Sequence, residues 1–406
     1  MVSLWLKNRQ ARTVSYPIIL LLMNIGAGLL APVLAVYFRE SSLGFHEIGL
    51  IMSVFELSMF IFEIPTGVIA DQWGRRISVL FCFGSFAVAG LVFYVSTDTA
   101  GFLLGSVLQG FGYTCISGAL QAWVVDLLHE TKKKDLIPST ILDGQQAKRG
   151  GFIVGSIIGG YLGMAYIRYN ILMYTAINVA IFFYASISIK EKPKDVHEER
   201  EERKEYKRRG VFFMSRIPRS IGRSALILFM IAFFFESSAA PVEEFWTVYF
   251  AEVRGTSVVY LGWMLAISNA LIVLLLKPAT HFLKDRVSDK WFIPSVSVLT
   301  ALSVLGIAVS AGWGMAAISF LTFRFLIGIY EPAFETRIND MIGSRHRATV
   351  LSLYNMAGSG GEVISVVGLG VAAEWWGMNS LFFICATGMI FTAFLYKGMI
   401  FLKENG

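Results

Sequence analysis

Acidic and basic side chains recur at helical spacing inside stretches that are otherwise apolar. The segment 323–337, FRFLIGIYEPAFETR, places Arg324, Gly328, Glu331 and Glu335 on one stripe of a helix. Glu56, Phe60, Glu63 and Gly67 repeat that spacing. Glu236 and Glu243 are seven apart with Glu244 beside them, Asn355 and Glu362 are also seven apart, and Asp143, Gln145, Gln146, Lys148 and Arg149 crowd a further stretch. Such groups can form ion pairs, bind a polar solute, or take up and release protons.

The stretches that carry them are long enough to span a membrane. The chain has 406 residues, 55% of them hydrophobic and 16% charged, a balance that a soluble protein of this length would not tolerate. A bilayer core takes about 20 helical residues to cross. Apolar runs of that size fall at 14–38, 47–70, 77–95, 101–125, 138–164 and 169–189, then at 224–250, 258–276, 292–311, 315–338, 349–373 and 379–401. The expected fold is all-α and integral to the membrane, with twelve transmembrane helices. The first run follows a basic start like a signal peptide, but its length and the spans after it read as a first helix.

In hydrocarbon each charge costs about 2.5–3.5 kcal/mol, and ten facing lipid would cost on the order of 25–35 kcal/mol, more than a fold has to spare. They must face a water-filled cavity or one another. Arg324 is expected to pair with Glu236 or Glu362, and one of Lys148 and Arg149 with Glu56 or Asp143. Fixed pairs that only set helix register are the plainer reading of any single residue. Seven acids (Glu56, Asp143, Glu236, Glu243, Glu244, Glu331, Glu362) against three cations leave carboxyls free to carry protons. A cavity of both signs suits zwitterionic, anionic or polyhydroxylated solutes.

Charge also orients the chain. With both termini cytoplasmic, the inner loops, tails and inner span ends hold all but six of the 35 Lys and Arg residues. Arg39, Arg168 and Arg254 are outside, while Lys148, Arg149 and Arg324 lie within spans. The positive-inside rule therefore fixes the topology in a plasma or inner membrane, and the basic balance is no sign of nucleic acid. Tryptophans such as Trp73, Trp123, Trp246 and Trp375 fall near span ends, as an interfacial belt would. Cys82, Cys115 and Cys385 lie inside spans without metal or disulfide spacing. His46, His129, His197, His281 and His346 are scattered, so no metal site and no cofactor is expected.

Residues 190–223, with mixed charge and two prolines, read as a solvated cytoplasmic linker between 1–189 and 224–406. An offset of 214 residues overlays Asp71 to Arg76 on Asp285 to Lys290, Asp126 on Asp340, and Gly144 on Gly358. The expectation is two six-helix halves related by a pseudo-two-fold axis along the membrane normal.

Between the second and third spans stands GVIADQWGRR. It matches the loop signature of the major facilitator superfamily, with Gln72 the one departure. The 6+6 layout extends the resemblance over the whole chain. Physically, Gly67 would let another helix approach, Gly74 would permit a tight turn, Asp71 could face a helix N-terminus of the other half, and Arg75 could reach Asp126. The resemblance implies that Gly67, Asp71, Gly74, Arg75, Arg76 and Asp126 form a latch closing the cytoplasmic side in the outward-facing state; an ordinary tight loop is the alternative. The copy at 285–290 has lost its glycines. Gly144, Gly151, Gly155, Gly159 and Gly160 resemble the glycine-rich antiporter motif, with Ser156 in place of its proline; close helix packing explains them equally well. The arginine that usually precedes Gln-Gly in span four is Ser106 here, three residues before Gln109-Gly110, which removes proton coupling through that residue.

The expected function is therefore secondary transport of a small organic molecule by alternating access, through proton-coupled efflux resembling that of drug:proton antiporters, in a protein functional as a monomer. The candidate cavity is formed by Glu56, Asp143, Lys148, Arg149, Glu236, Glu243, Arg324, Glu331, Asn355 and Glu362. Uptake of a sugar or metabolite is the alternative, because a motif argues for fold more than direction. An ATP-driven pump would need a GxxxxGK[ST] loop, and none is present. A membrane enzyme would need a clustered acid–base or metal motif. A receptor or scaffold would not require carboxylates in several spans.

Overall fold

A computed structural model describes residues 13–191, 223–283, 290–341 and 347–405. Helices occupy every apolar run: α1 (Ser15–Leu30), α2 (Leu34–Glu40), α3 (Phe45–Gln72), α4 (Arg75–Val95), α5 (Thr99–Ile116), α6 (Ala119–Glu130), α7 (Ile137–Tyr166) and α8 (Arg168–Ser188). After residues 192–222 come α9 (Arg223–Val248), α10 (Val258–Leu283), α11 (Phe292–Val309), α12 (Trp313–Met341), α13 (Arg347–Trp376) and α14 (Met378–Asn405). The expected linker and the second motif copy at 285–289 lie almost wholly outside the described residues.

Local chemistry explains the breaks. Pro32, which has no N–H to continue the helical ladder, separates α1 from α2. Gly118, at φ +77°, turns α5 into α6. Glu47 accepts the Gly44 N–H at 2.8 Å at the start of α3, and Asp98 accepts the Gly101 N–H at 3.0 Å at the start of α5, satisfying donors that a helix leaves open. A π-turn, Tyr249–Val253, extends α9.

Among the described residues, 11 helical stretches are long and apolar enough to cross a membrane, with α1–α2 and α5–α6 each counting as one. The 30-residue α7 is not among them, because Asp143, Lys148, Arg149 and its many glycines dilute its hydropathy. It nevertheless packs within the bundle. Among α1–α8, the first span packs on α7 and α8, α3 on α5, and α4 on α5 and α8. Among α9–α14, α9 packs on α13 and α14, α10 on α12, and α11 on α12 and α14.

Trp73, Trp291, Trp313, Trp375 and Trp376 are exposed at helix ends, as a belt requires. Trp123 and Trp246 depart from that expectation. Both are buried, and Trp246 stacks on Phe320 with ring centroids 4.2 Å apart, so their apolar area is spent on helix packing. The three cysteines are free and buried.

Candidate functional site

The helices before and after the linker region meet along α3–α13 and α7–α10, with α2 against α9. Their closest approaches lie toward the end where α2 and α9 finish, here called the 252 rim. A Cβ on Gly49 would strike the Val366 carbonyl, and one on Gly262 the Ser156 carbonyl. Small residues thus let backbones touch there, the usual device of membrane helix contacts. Ser53 donates to the Val363 carbonyl at 3.0 Å across the same seam. An ion pair and a histidine–carboxylate contact sit on top. Arg39 Nε meets Glu252 Oε1 at 2.8 Å, and His46 Nδ1 meets Glu374 Oε2 at 2.5 Å. Arg39 also donates to the Leu43 carbonyl at 2.9 Å.

The opposite end, the 75 rim, is built differently. Gly74 adopts φ +95°, a left-handed turn that glycine enters without strain. Arg75 is paired with Asp126, as its spacing suggested. The Glu191 carboxylate accepts the backbone N–H groups of Arg75 at 2.8 Å and Arg76 at 3.1 Å, capping the positive end of α4. Arg76 donates to the Ser186 carbonyl at 2.8 Å. Asp71 is exposed at the end of α3. Among the described residues, nothing lies within 4 Å of the position a Gly67 Cβ would take.

Between the rims, six of the expected cavity residues converge with Glu244. Glu236 lies within electrostatic range of Glu331, Glu243 and Glu56. Glu362 lies within range of Glu56, Glu244, Glu236 and Glu243. Gly358 makes room for this, since a Cβ there would come within 3.0 Å of Glu236 Cγ. Arg324 is ion-paired with Glu243, which corrects the expected pairing with Glu236 or Glu362. Depth decides it. Arg324 and Glu243 each lie about 15 Å from the 252 rim by helical rise, Glu362 about 21 Å and Glu236 about 25 Å. The Arg324 Nε is buried without a partner.

Asp143, Lys148, Arg149 and Asn355 are exposed, as Glu331 of the cluster is, and among the described residues neither Lys148 nor Arg149 has an ion-pair partner. Their expected pairing with Glu56 or Asp143 therefore fails. The helix of Glu56, α3, packs on α5 and α13, whereas α7 packs on the first span and α10. The glycines of α7 serve packing: Gly151 and Gly155 abut the Leu21 and Ile25 carbonyls, and Gly160 abuts Val259.

Arg39, His46, Glu252, Glu374 and Glu191 were not anticipated. Each reads in the sequence as a solvated charge near a helix end, and only Arg39 carried a signal, as one of three cations outside the basic loops.

A family model described as Major Facilitator Superfamily matches residues 18–366 and 225–404. The chain is 23% identical over 389 residues to the MFS-type transporter YxaM of Bacillus subtilis, covering 95% of each. It is 25% identical over 170 residues to the quinolone resistance protein NorA of Staphylococcus aureus, covering 41% of this chain and 42% of that one. The fold is similar to a solved nucleoside transporter, NupG, with a TM-score of 0.78 at 14% identity, covering 96% of this chain and 99% of that one. The signature loop and the whole-length family match agree, and the chain belongs to the Major Facilitator Superfamily.

Proposed function

We propose that this transporter exports a small organic solute in exchange for protons by alternating access. One observation carries the reading. Carboxyls from both helix sets, Glu56 on one side and Glu236, Glu243, Glu244, Glu331 and Glu362 on the other, share one electrostatic environment that, among the described residues, holds one arginine, Arg324. A carboxyl in such a place is costly unless it titrates or meets a cation. With Arg324 engaged by Glu243, Glu236 is the carboxyl we assign as proton carrier, with Glu56 and Glu362 as its rivals. The acid excess of this cluster suits a solute bearing an amine or another cationic group. Proton and solute then compete for the same carboxyls, which is the coupling an antiporter needs.

The architecture we propose is twelve spans, with α7 as the fifth, in two six-helix halves (1–189 and 224–406) joined by a cytoplasmic linker at 190–223. Recurrence of the same five helix pairings in both sets supports the pseudo-two-fold axis. The distribution of Lys and Arg supports cytoplasmic termini. The 252 rim is then extracellular and closed in this structure, the 75 rim is cytoplasmic, and Asp71 with the Arg75–Asp126 pair, already formed here, belongs to the latch that closes the 75 rim when the cycle reverses. The working unit is a monomer in the bilayer. Similarity to a quinolone resistance protein supports export. Uptake of a sugar or metabolite remains the second reading, favoured by the fold-level likeness to a nucleoside transporter.

The test is purified protein in proteoliposomes with an imposed pH gradient, screened against amines, nucleosides, sugars and amino acids. Export requires solute to move against the proton flow. Movement in the same direction as protons would establish uptake, and indifference of every transported solute to the gradient would remove the coupling.

A further inference from the structure

A cavity of about 460 Å³ lies at the 252 rim, on the seam between the two helix sets. Val36 of α2 and Ile167, just past α7, line it from the first set, and Val258 of α10 lines it from the second. Backbones come close at this point. A Cβ on Gly163, also on the wall, would strike the side chains of Val33 and Val258. The polar part of the wall is formed by Arg39, Glu40, Glu252 and Thr256.

Rim closure accounts for two of these four. Arg39 pairs with Glu252 at 2.8 Å, donates to the Leu43 carbonyl at 2.9 Å and lies over the Phe45 ring at 4.5 Å. Its charge and that of Glu252 cancel. Glu40 is left over. It is exposed, and among the described residues it has neither a hydrogen-bond nor an ion-pair partner. Thr256 is only 6% exposed, and its hydroxyl is buried without a partner. Valine would fill that place with no unpaired polar group. The wall thus carries one uncompensated negative charge and one unsatisfied hydroxyl beside apolar side chains. A concave site of this size, mostly apolar with a few polar groups, is the usual form of a small-molecule site.

We propose that this cavity is a second ligand site, that it takes a small organic cation whose ammonium group meets Glu40, and that the bound cation holds the 252 rim closed. The apolar body of the ligand lies against Val36, Ile167 and Val258. Its walls come from both helix sets, so a ligand that fills it touches both only while the rim is closed. Binding and closure are therefore linked, and the affinity gained in the closed form returns as a shift toward that form. The site is separate from the carboxyl cluster, where Glu243 and Arg324 lie about 15 Å from this rim by helical rise. It stands whichever way the transported solute moves. The start of α10 also borders the cavity and favours anions, so the charge preference of the site is what the experiment must read.

Purified full-length protein is titrated by calorimetry with benzylammonium, and with phenylacetate as an anion of similar shape. Spin labels across the 252 rim, placed outside the cavity, report its width. Benzylammonium should bind more tightly than phenylacetate, and saturation should narrow the distances to the closed form. Glu40→Gln should weaken its binding about fivefold and Thr256→Val a few-fold, with the melting temperature of each ligand-free variant unchanged. Affinity unaltered in either variant would overturn the site. Binding that survives Glu40→Gln but is lost in Glu236→Gln would place the cation in the carboxyl cluster instead. Tighter binding of phenylacetate would overturn the cation preference, and binding that leaves the rim distances unchanged would overturn the lock.

Discussion

The two rims are held by different kinds of contact. At the 252 rim, Arg39–Glu252 and His46–Glu374 join the helices before the linker to those after it, over backbones brought together at Gly49 and Gly262. At the 75 rim, the Arg75–Asp126 pair, the Glu191 cap and the Arg76–Ser186 bond all connect helices of the first set to one another. A molecule that must open one end while closing the other needs contacts of the first kind to be separable. Contacts of the second kind keep a set rigid while it moves. An exposed ion pair is worth at most about 1 kcal/mol, so the 252 rim can be released at small cost. The glycine seam contributes more, through dispersion and excluded lipid.

The strongest way to break this contrast is to make the 252 rim inseparable. A short bifunctional reagent joining Arg39→Cys to Glu252→Cys should abolish transport, with recovery on reduction; the native cysteines are buried and should not interfere. Transport that persists in the crosslinked protein would mean the rim does not open. Next in size, Asp71→Asn or Arg75→Ala should collapse transport with expression retained, because the loop that the Arg75–Asp126 pair holds in shape closes the 75 rim in the other state. Labelling of cysteines placed along the inner half of α3 should show the population moving toward the form seen here. If labelling is unchanged in both variants, the latch assignment is wrong.

Gly262→Ala should act in the opposite sense, because its methyl group would occupy the Ser156 carbonyl. Overpacking costs about 1–3 kcal/mol, enough to shift the two-state balance roughly fivefold or more toward an open 252 rim, read by solvent accessibility at Val258. Arg39→Ala is the smallest. Its side chain and that of Glu252 are 34% and 39% exposed, so removal should shift the balance about fivefold at most, an effect that 0.5 M salt should largely erase in the unmodified protein.

The helices were legible in the sequence because a bilayer imposes a length, and each apolar run became a helix with ends moved by a few residues. The loop at Gly74 was legible because few residues accept its backbone angle. Partner choice was not. Whether Arg324 meets Glu243 or Glu236 depends on relative helix depth, which spacing along one chain does not encode. The expected pairing of Lys148 or Arg149 with Glu56 failed because α7 packs on the first span and α10, away from the helix of Glu56. The side-chain contacts of the 252 rim join residues more than 200 positions apart, and nothing local marks either member.

The account turns on one claim: the rims open alternately, and Glu236 protonation biases them. Paired spin labels reporting distances across the 252 rim and across the 75 rim, in the full-length protein at acid and alkaline pH, test it without a solute. The two distances should change in opposite directions as pH changes, and Glu236→Gln at alkaline pH should match the unmodified protein at acid pH. Rims that open and close independently, or a pH response that survives in Glu236→Gln, would contradict the account.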